Sequence, residues 1–308
     1  MVQERQAGLI RIRFNIVAAI LAPIMMLVLA GCSNASGETA SGPAPNPLLY
    51  EIASADGTVE GWMVGTIHAL PDRVAWQTDQ IARVTAEADL LVVEVAGLDD
   101  GEMLASTFAT LSTTQGLPPL VQRVPQDLKA PLASLMGRGG IGTERFATME
   151  TWAAAIVLAQ ATAVGDPANG VDRMLIRQFA DRSVRELEGA TAQLSIFDRL
   201  PEPQQRAMLA AVIRESADKS ADPARLQRAW LSGDSDTIEQ ATHTGILADP
   251  ALRETLLVAR NQRWAAALGA VLEQQPRPLI AVGAAHLVGP DGLERLLAAQ
   301  GYRIRRLP

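Results

Sequence analysis

The chain is poor in the residues that most often carry chemistry, with one cysteine and three histidines among 308 residues. A single cysteine, Cys32, excludes an intrachain disulfide. Aromatic side chains make up only 4% of the chain, the net charge is −7, and no basic stripe runs along the sequence. We therefore expect no nucleic-acid partner. Apolar residues make up 48%, enough to bury the core of an ordinary globular protein.

The N-terminal segment, residues 1–31, has the pattern of an export signal. Arginines precede an apolar run from Phe14 to Ala30, as in a signal peptide. The alternative is a transmembrane anchor, because the run approaches the length that spans a bilayer. Leu29-Ala30-Gly31-Cys32 resembles a bacterial lipobox, in which the cysteine carries the lipid. We therefore expect an exported lipoprotein attached to the membrane through Cys32, and Ser33 favours the outer membrane or its periplasmic face.

The segment 32–47 is rich in Ser, Gly, Ala and Pro, a composition that predicts a flexible tether. A folded domain is expected over residues 48–308. It opens with a hairpin pattern, Leu48 to Ala53 and Val59 to Gly65, and closes with a strand, a helix and an edge strand from Tyr302 to Leu307, which predict a βαβ-like unit. Alternating strand and helix patterns predict the α/β class, with a central mixed sheet flanked by many helices.

Two Gly-x-x-His phrases follow apolar runs. Gly65 to His68 ends one such run, and Gly283 to His286 ends the run Leu279 to Val282. A glycine at a strand end permits a positive φ or a close backbone approach, and ligands of open α/β sheets bind at the carboxyl ends of strands. We therefore expect both histidines to face one cleft. His243 lies in a polar stretch and is expected to be exposed, without a chemical role.

Glu94 is the one charge in the apolar run 90–95. The spacing from His68 fits a loop, a helix and a strand, so the strands that carry the two residues are expected to be neighbours. The alternative for Glu94 is pairing with a buried arginine. Arg260 and Asn261 lie inside a long helix predicted from Asp249 to Gln275. Their two interpretations are a solvated face of this helix and a role in the site.

Asp172 and Glu188 have two interpretations each. Asp172 fits an acid favoured by a helix dipole in the first turn, and Glu188 fits a charge at a strand end. Both are also candidates for the site. Two imidazoles and a carboxylate form a ligand set for a divalent transition metal. Without a metal, the same residues could act as a general base and its partner.

The chain resembles the TraB/PrgY/GumN family, part of a wider group with Tiki proteases, erythromycin esterases and ChaN haem-binding lipoproteins. The segments that carry the resemblance are GWMVGTIHALP (61–71), ADLLVVEV (88–95), NGVDRMLIRQFA (169–180), RELEGATAQLSIFDRLP (185–201), LLVARNQRWA (256–265) and PLIAVGAAHLVGPDGLERLLAAQGY (278–302). The resemblance implies a fold like that of erythromycin esterase and ChaN, with two strand–Gly-x-x-His units.

The resemblance also implies a function. It implies a membrane-tethered, metal-dependent hydrolase, a metalloprotease acting on a peptide or protein and using manganese or cobalt rather than zinc. The alternatives are a non-catalytic lipoprotein that binds haem or a peptide, and a metal-free esterase. The implied ligands are His68, Glu94 and His286. Arg260 or Asn261 would stabilise the oxyanion, and the supporting residues would be Gly65, Gly283, Asp172 and Glu188.

Overall fold

The structure is a computed structural model that describes residues 44–161, 163–218, 220–274 and 277–308. Cys32, the expected signal peptide and nearly all of the expected tether lie outside the described residues. Among the described residues, no helix is both long enough and apolar enough to cross a membrane.

Six strands form one sheet: β1 (Leu49–Ala53), β2 (Val59–Thr66), β3 (Leu90–Val93), β4 (Ser183–Glu186), β5 (Pro278–Gly283) and β6 (Arg303–Arg306). Their order is β4-β3-β5-β2-β1-β6. The neighbours from β4 to β2 run parallel, whereas β1 is antiparallel to both β2 and β6. The prediction of an α/β fold with a mixed sheet is confirmed.

The hairpin of β1 and β2 is confirmed, and local hydrogen bonds stabilise its turn. The Asp56 carboxylate accepts hydrogen bonds from Ser54 Oγ (2.7 Å) and from the Thr58 backbone N–H (2.9 Å). Gly57 takes a φ of +95°, which a residue with a Cβ adopts at a cost.

Strand β5 lies in the middle of the parallel part, buried along its whole length. Ala281 pairs with Val64 of β2 on one side and with Val93 of β3 on the other. The prediction that the strands of His68 and Glu94 are direct neighbours was therefore wrong, because the distant C-terminal strand is inserted between them.

The C-terminal strand β6 lies beside the hairpin of the sheet. β6 pairs antiparallel with β1, for example Ile52 with Ile304, and not with β5. It is an edge strand as expected. Because β1 is antiparallel to both β2 and β6, and β2 is parallel to β5, β6 runs parallel to β5. The predicted order of strand, helix and strand is therefore confirmed, with β2 and β1 lying between the two strands.

The helices are α1 (Asp79–Glu87), α2 (Gly101–Leu111), α3 (Lys129–Arg138), α4 (Thr151–Gln160), α5 (Val171–Gln178), α6 (Ala190–Asp198), α7 (Glu202–Ala217), α8 (Arg225–Ser232), α9 (Ser235–Ala241), α10 (Pro250–Arg253), α11 (Ala259–Leu272) and α12 (Leu293–Ala299). The described residues divide into two compact units. The helical unit contains Gly97–Ala163 and Glu188–Ala221. The sheet unit contains 44–96, Val164–Leu187 and Asp222–Pro308.

The helical unit is built around α4. Residues Thr151 to Ala159 are all buried, so this helix is apolar on every side, as a central helix must be. It packs against α7, and the Trp152 ring meets Phe108 edge-to-face at 5.5 Å and stacks on Phe197 at 6.1 Å.

The predicted long helix from Asp249 to Gln275 is interrupted. A π-helical turn, Glu254–Val258, separates α10 from α11. Such a turn inserts an extra residue and rotates the helix after it, and it occurs often beside functional sites. Arg260 and Asn261 lie in the first turn of α11, separated from this π-turn by one residue, and both are fully buried.

Candidate functional site

Three neighbouring strands of the sheet unit end at the same edge, and each delivers one predicted residue. His68 lies two residues beyond β2, Glu94 follows β3 directly, and His286 ends a 3-10 turn after β5. A Cβ placed on Gly283 would lie 3.4 Å from Glu94 Oε1, 3.6 Å from His286 Cδ2 and 3.8 Å from His68 Nε2. The three side chains therefore converge around the end of β5.

His68 is oriented by a carboxylate. Its Nδ1 lies 2.7 Å from Asp172 Oδ2, and Thr66 Oγ1 donates a hydrogen bond to Asp172 Oδ1. Asp172 is buried in the first turn of α5, which confirms its position at a helix start, while its role in the site stays a prediction. Sequence reasoning missed Thr66, although it stands inside the Gly-x-x-His phrase.

The start of α5 is brought against the first Gly-x-x-His loop by backbone contacts. The Val171 N–H donates to the Ile67 carbonyl at 2.9 Å. Gly170 allows this approach, since a Cβ there would lie 2.5 Å from the His68 carbonyl oxygen. The carboxylate of Asp172 consequently reaches Nδ1 and leaves Nε2 of His68 directed away from it.

Glu94 is held by two donors. Its Oε1 accepts from the Gly283 N–H at 2.9 Å, and its Oε2 accepts from Arg260 Nη2 at 2.8 Å. The side chain of Arg260 is not exposed at all, and that of Glu94 is 10% exposed. Glu94 thus lies in the site and is also paired with a buried arginine, which was its alternative interpretation.

His286 is oriented by an amide. Its Nδ1 lies 2.5 Å from Asn261 Oδ1, while Asn261 Nδ2 donates to the Asp291 carbonyl at 2.7 Å. The amide nitrogen is therefore occupied, so Oδ1 is the atom that faces the ring and Nδ1 carries the hydrogen. The lone pair of Nε2 remains, 3.4 Å from Arg260 Nη1.

An indole completes the buried side of the site. The Trp264 ring lies 4.5 Å from the ring of His286, and the guanidinium of Arg260 lies 4.5 Å from the Trp264 ring centre. Trp264 is not among the predicted site residues. The sequence signal that could have identified Trp264 is its spacing: it lies four residues after Arg260, and residues at i and i+4 share a helix face.

The three titrating side chains differ in protonation. Burial opposes the charged form of His68, but the carboxylates of Asp172 and Glu94 outweigh it and raise the pKa of His68 to about 9. Burial opposes the charge of Glu94, but the Arg260 cation and the two imidazoles lower the pKa of Glu94 to about 2. Burial, together with the Arg260 charge, lowers the pKa of His286 to about 3. Near pH 7 the site thus holds an imidazolium, a carboxylate and a neutral imidazole.

The glycines of the two motifs act through space rather than through positive φ. A Cβ on Gly65 would lie 3.0 Å from Ala284 Cβ, so Gly65 permits the loop after β5 to pack on β2. The Gly65 carbonyl also accepts from the buried Trp230 Nε1 at 2.8 Å, a contact that sequence reasoning missed. Gly283 has a φ of −49°.

Two further expectations concern residues away from this cluster. His243 is exposed, as predicted. Glu188 belongs to the helical unit, and its role in the site stays a prediction.

The metal implied by the resemblance can be compared with these contacts. Among the described residues, no group of three or more His, Cys, Asp or Glu side chains is arranged to hold a metal ion. The guanidinium of Arg260 contacts both Glu94 Oε2 and His286 Nε2, so a cation already faces two of the three implied ligands. As arranged, these residues do not fit a divalent ion.

Comparisons with known proteins identify the family of this chain but no specific activity. No curated protein matches this chain, and no solved structure matches it. The family model of TraB/PrgY/gumN matches residues 48–306, a range that includes all six strands, His68, Glu94, Arg260, Asn261 and His286. The chain therefore belongs to the TraB/PrgY/gumN family.

Proposed function

We propose that the chain is a hydrolase of ester or amide bonds in which Glu94 and His68 act together on water and substrate. The observation that carries the proposal is the convergence of His68 Nε2 and Glu94 Oε1 beside Gly283 at the carboxyl edge of the sheet. A base and an acid within reach of one point are what the hydrolysis of a carbonyl compound requires. The His68 side chain is 18% exposed, so solvent reaches it.

The environments of the two groups support distinct roles. Glu94, held as a carboxylate, accepts a proton from a water molecule as the water oxygen attacks the carbonyl carbon. His68, held as an imidazolium, donates its Nε2 proton to the leaving alcohol or amine as the bond to carbon breaks. A proton then passes from Glu94 to His68, which restores both groups. Two titrating groups whose surroundings separate their pKa values are typical of such acid–base pairs.

The other residues position this pair. Asp172 orients the His68 ring and stabilises its charge, and Arg260 fixes Glu94. Asn261 fixes His286 in one tautomer. The end nitrogens of Arg260 and the amide of Asn261 face protein atoms. We therefore propose positioning roles for both, instead of the oxyanion role that the resemblance implies.

The proposal is tested by hydrolysis of p-nitrophenyl esters and of a mixed peptide library by the full chain. His68→Gln and Glu94→Gln are expected to lower kcat/KM by about 10²–10⁴-fold, the usual contribution of general acid–base catalysis. His243→Gln is the matched control, because His243 is exposed, and it should retain full activity. Activity in the wild type that survives both site substitutions would contradict the proposal.

The same assay separates the alternatives. Metalloprotease activity, implied by the resemblance, would appear only with added Mn²⁺ or Co²⁺ and would be lost with a chelator, whereas the proposed reaction is indifferent to the chelator. A haem-binding protein would show a Soret absorbance and no hydrolysis. Export and lipid attachment at Cys32 remain proposals, tested by whether Cys32→Ala releases the chain from the membrane fraction.

A further inference from the structure

A half-open cavity of about 660 Å³ lies within the helical unit. It is bounded by α3 and by the segments 117–121 and 141–147, and none of the proposed catalytic or positioning residues lines it. Its wall is formed mainly by the apolar side chains of Leu120, Val121, Leu132, Met136, Ile141 and Phe146. Cavities of about 300–1,000 Å³ with apolar walls and few polar groups are typical of small-molecule sites.

The cavity walls are fixed by a buried arginine. The side chain of Arg123 is 1% exposed, and its guanidinium donates to the carbonyls of Pro118 (2.7 Å), Phe146 (3.2 Å) and Met149 (2.6 Å). Pro118 and Phe146 belong to the two chain segments that bound the cavity, and Met149 lies two residues beyond the second segment. The walls are thus tied together by the protein itself, so that no ligand is needed to form the cavity.

The rim of the cavity exposes apolar surface. Val121 is 43% exposed, and it is the one large apolar side chain that is exposed among the described residues. Ala133 and Ala147, which are also exposed, line the same cavity. An apolar ligand would cover this surface.

Two charged side chains, Lys129 and Glu144, line the cavity. Within the described ranges, Lys129 Nζ has no hydrogen bond and no ion pair. The carboxylate of Glu144 lies folded against the backbone of Gly142. A cation without a partner beside an apolar cavity complements a ligand that has an anionic head and an apolar tail.

We propose that this cavity binds an aliphatic carboxylic acid, with the hydrocarbon chain between α3 and the two flanking segments and the carboxylate at Lys129. The tail replaces the solvent that covers Val121 and its apolar neighbours, and the head forms an ion pair with Nζ. The proposed hydrolase activity is not needed for this binding.

Calorimetric titration of the full chain with hexanoate, octanoate and decanoate tests the proposal. Affinity should rise about fourfold for each added methylene until the cavity is filled. Lys129→Gln should weaken decanoate binding about tenfold and leave decanol binding unchanged. Glu144→Gln should tighten decanoate binding, because it removes a like charge from the cavity.

Ala133→Trp fills the cavity from an exposed position of α3 and should abolish binding. Ala130→Trp is the matched control, since Ala130 is exposed on the same helix and does not line the cavity. The apolar run from Phe14 to Ala30 is common to all variants, so differences between them report the cavity. Equal binding by the two tryptophan variants, no binding of decanoate, or no effect of Lys129→Gln would overturn the proposal.

Discussion

A fully buried arginine in the sheet unit and one in the helical unit differ in their main partners. In the sheet unit, Arg260 is paired with a carboxylate, Glu94, and lies beside an imidazole, His286. In the helical unit, Arg123 donates to backbone carbonyls. A buried cation bound to carbonyls ties loops together, whereas one bound to an ionisable side chain also sets the charge and position of that group. The comparison supports the proposed catalytic site in the first case and a structural role for the arginine in the second.

The largest expected effect comes from breaking the ion pair of Arg260 and Glu94 in the sheet unit. Arg260→Met leaves the Glu94 carboxylate buried without its cation and should lower the free energy of unfolding by about 3–5 kcal/mol. The double variant Arg260→Met/Glu94→Gln should recover most of this loss, because neither member of the pair is left charged and the glutamine oxygen still accepts from Gly283. Urea denaturation measures both.

Arg123→Met sharpens the contrast in the helical unit. We expect the free energy of unfolding to fall by about 2–3 kcal/mol, because three carbonyls lose their hydrogen-bond donor. Replacing a single partner side chain cannot restore it, since the partners are backbone atoms. A double variant of the Arg260 pair that is no more stable than Arg260→Met alone would show that the comparison fails.

Asp172→Asn should have an intermediate effect. The amide no longer stabilises the imidazolium, so the pKa of His68 should fall from about 9 and kcat/KM should drop about 10–100-fold, as for other residues that orient a functional imidazole. Thr66→Val removes one hydrogen bond to Asp172 and should lower kcat/KM by less than Asp172→Asn does. The exposed Asp181 supplies the control Asp181→Asn, which should leave activity unchanged. An unaltered pKa of His68 in Asp172→Asn would contradict the assigned role.

The smallest effect concerns Glu215 of the helical unit. Its Oε2 is buried without a hydrogen-bond partner among the described residues, and burial, together with Asp218, raises the pKa of Glu215 to about 7. A raised carboxyl pKa makes the folded state bind the proton more tightly, so stability should fall as the pH rises from about 4.5 to above 7. We expect the free energy of unfolding to fall by about 1 kcal/mol over this range, because the side chain is only partly buried.

Glu215→Gln should remove this part of the pH dependence, measured by thermal unfolding between pH 5 and 8. The control is Glu102→Gln on the exposed surface of the same unit. Identical pH profiles of the wild type and Glu215→Gln would show that Glu215 is not the source.

Local patterns predicted much of the fold. The β1–β2 hairpin is explained by its turn residues, and β5 by its continuous apolar run. The position of β5 between β2 and β3 was not predictable, because pairing between strands distant in the chain leaves no local signal. The pairing of β6 with β1 was missed for the same reason.

The sequence identified His68, His286 and Glu94 as candidate site residues, but it did not predict the hydrogen bonds that hold them. The two Gly-x-x-His phrases and Glu94 were found because charged or imidazole side chains at strand ends are unusual. The links from His68 to Asp172 and from His286 to Asn261 depend on the approach of α5 and on the π-turn before α11. Neither was predicted, because the approach of α5 joins segments that are distant in the chain and the helix from Asp249 to Gln275 was expected to be continuous.

The most direct test of the acid–base pair is an NMR pH titration of the imidazole nitrogens of the full chain. With three histidines in the chain, His68, His243 and His286 can be assigned by single substitutions. We predict that His68 stays protonated until the pH approaches about 9 and that His286 stays neutral down to about pH 3. Titration of both near 6.5, the value of an unperturbed histidine, would contradict the account.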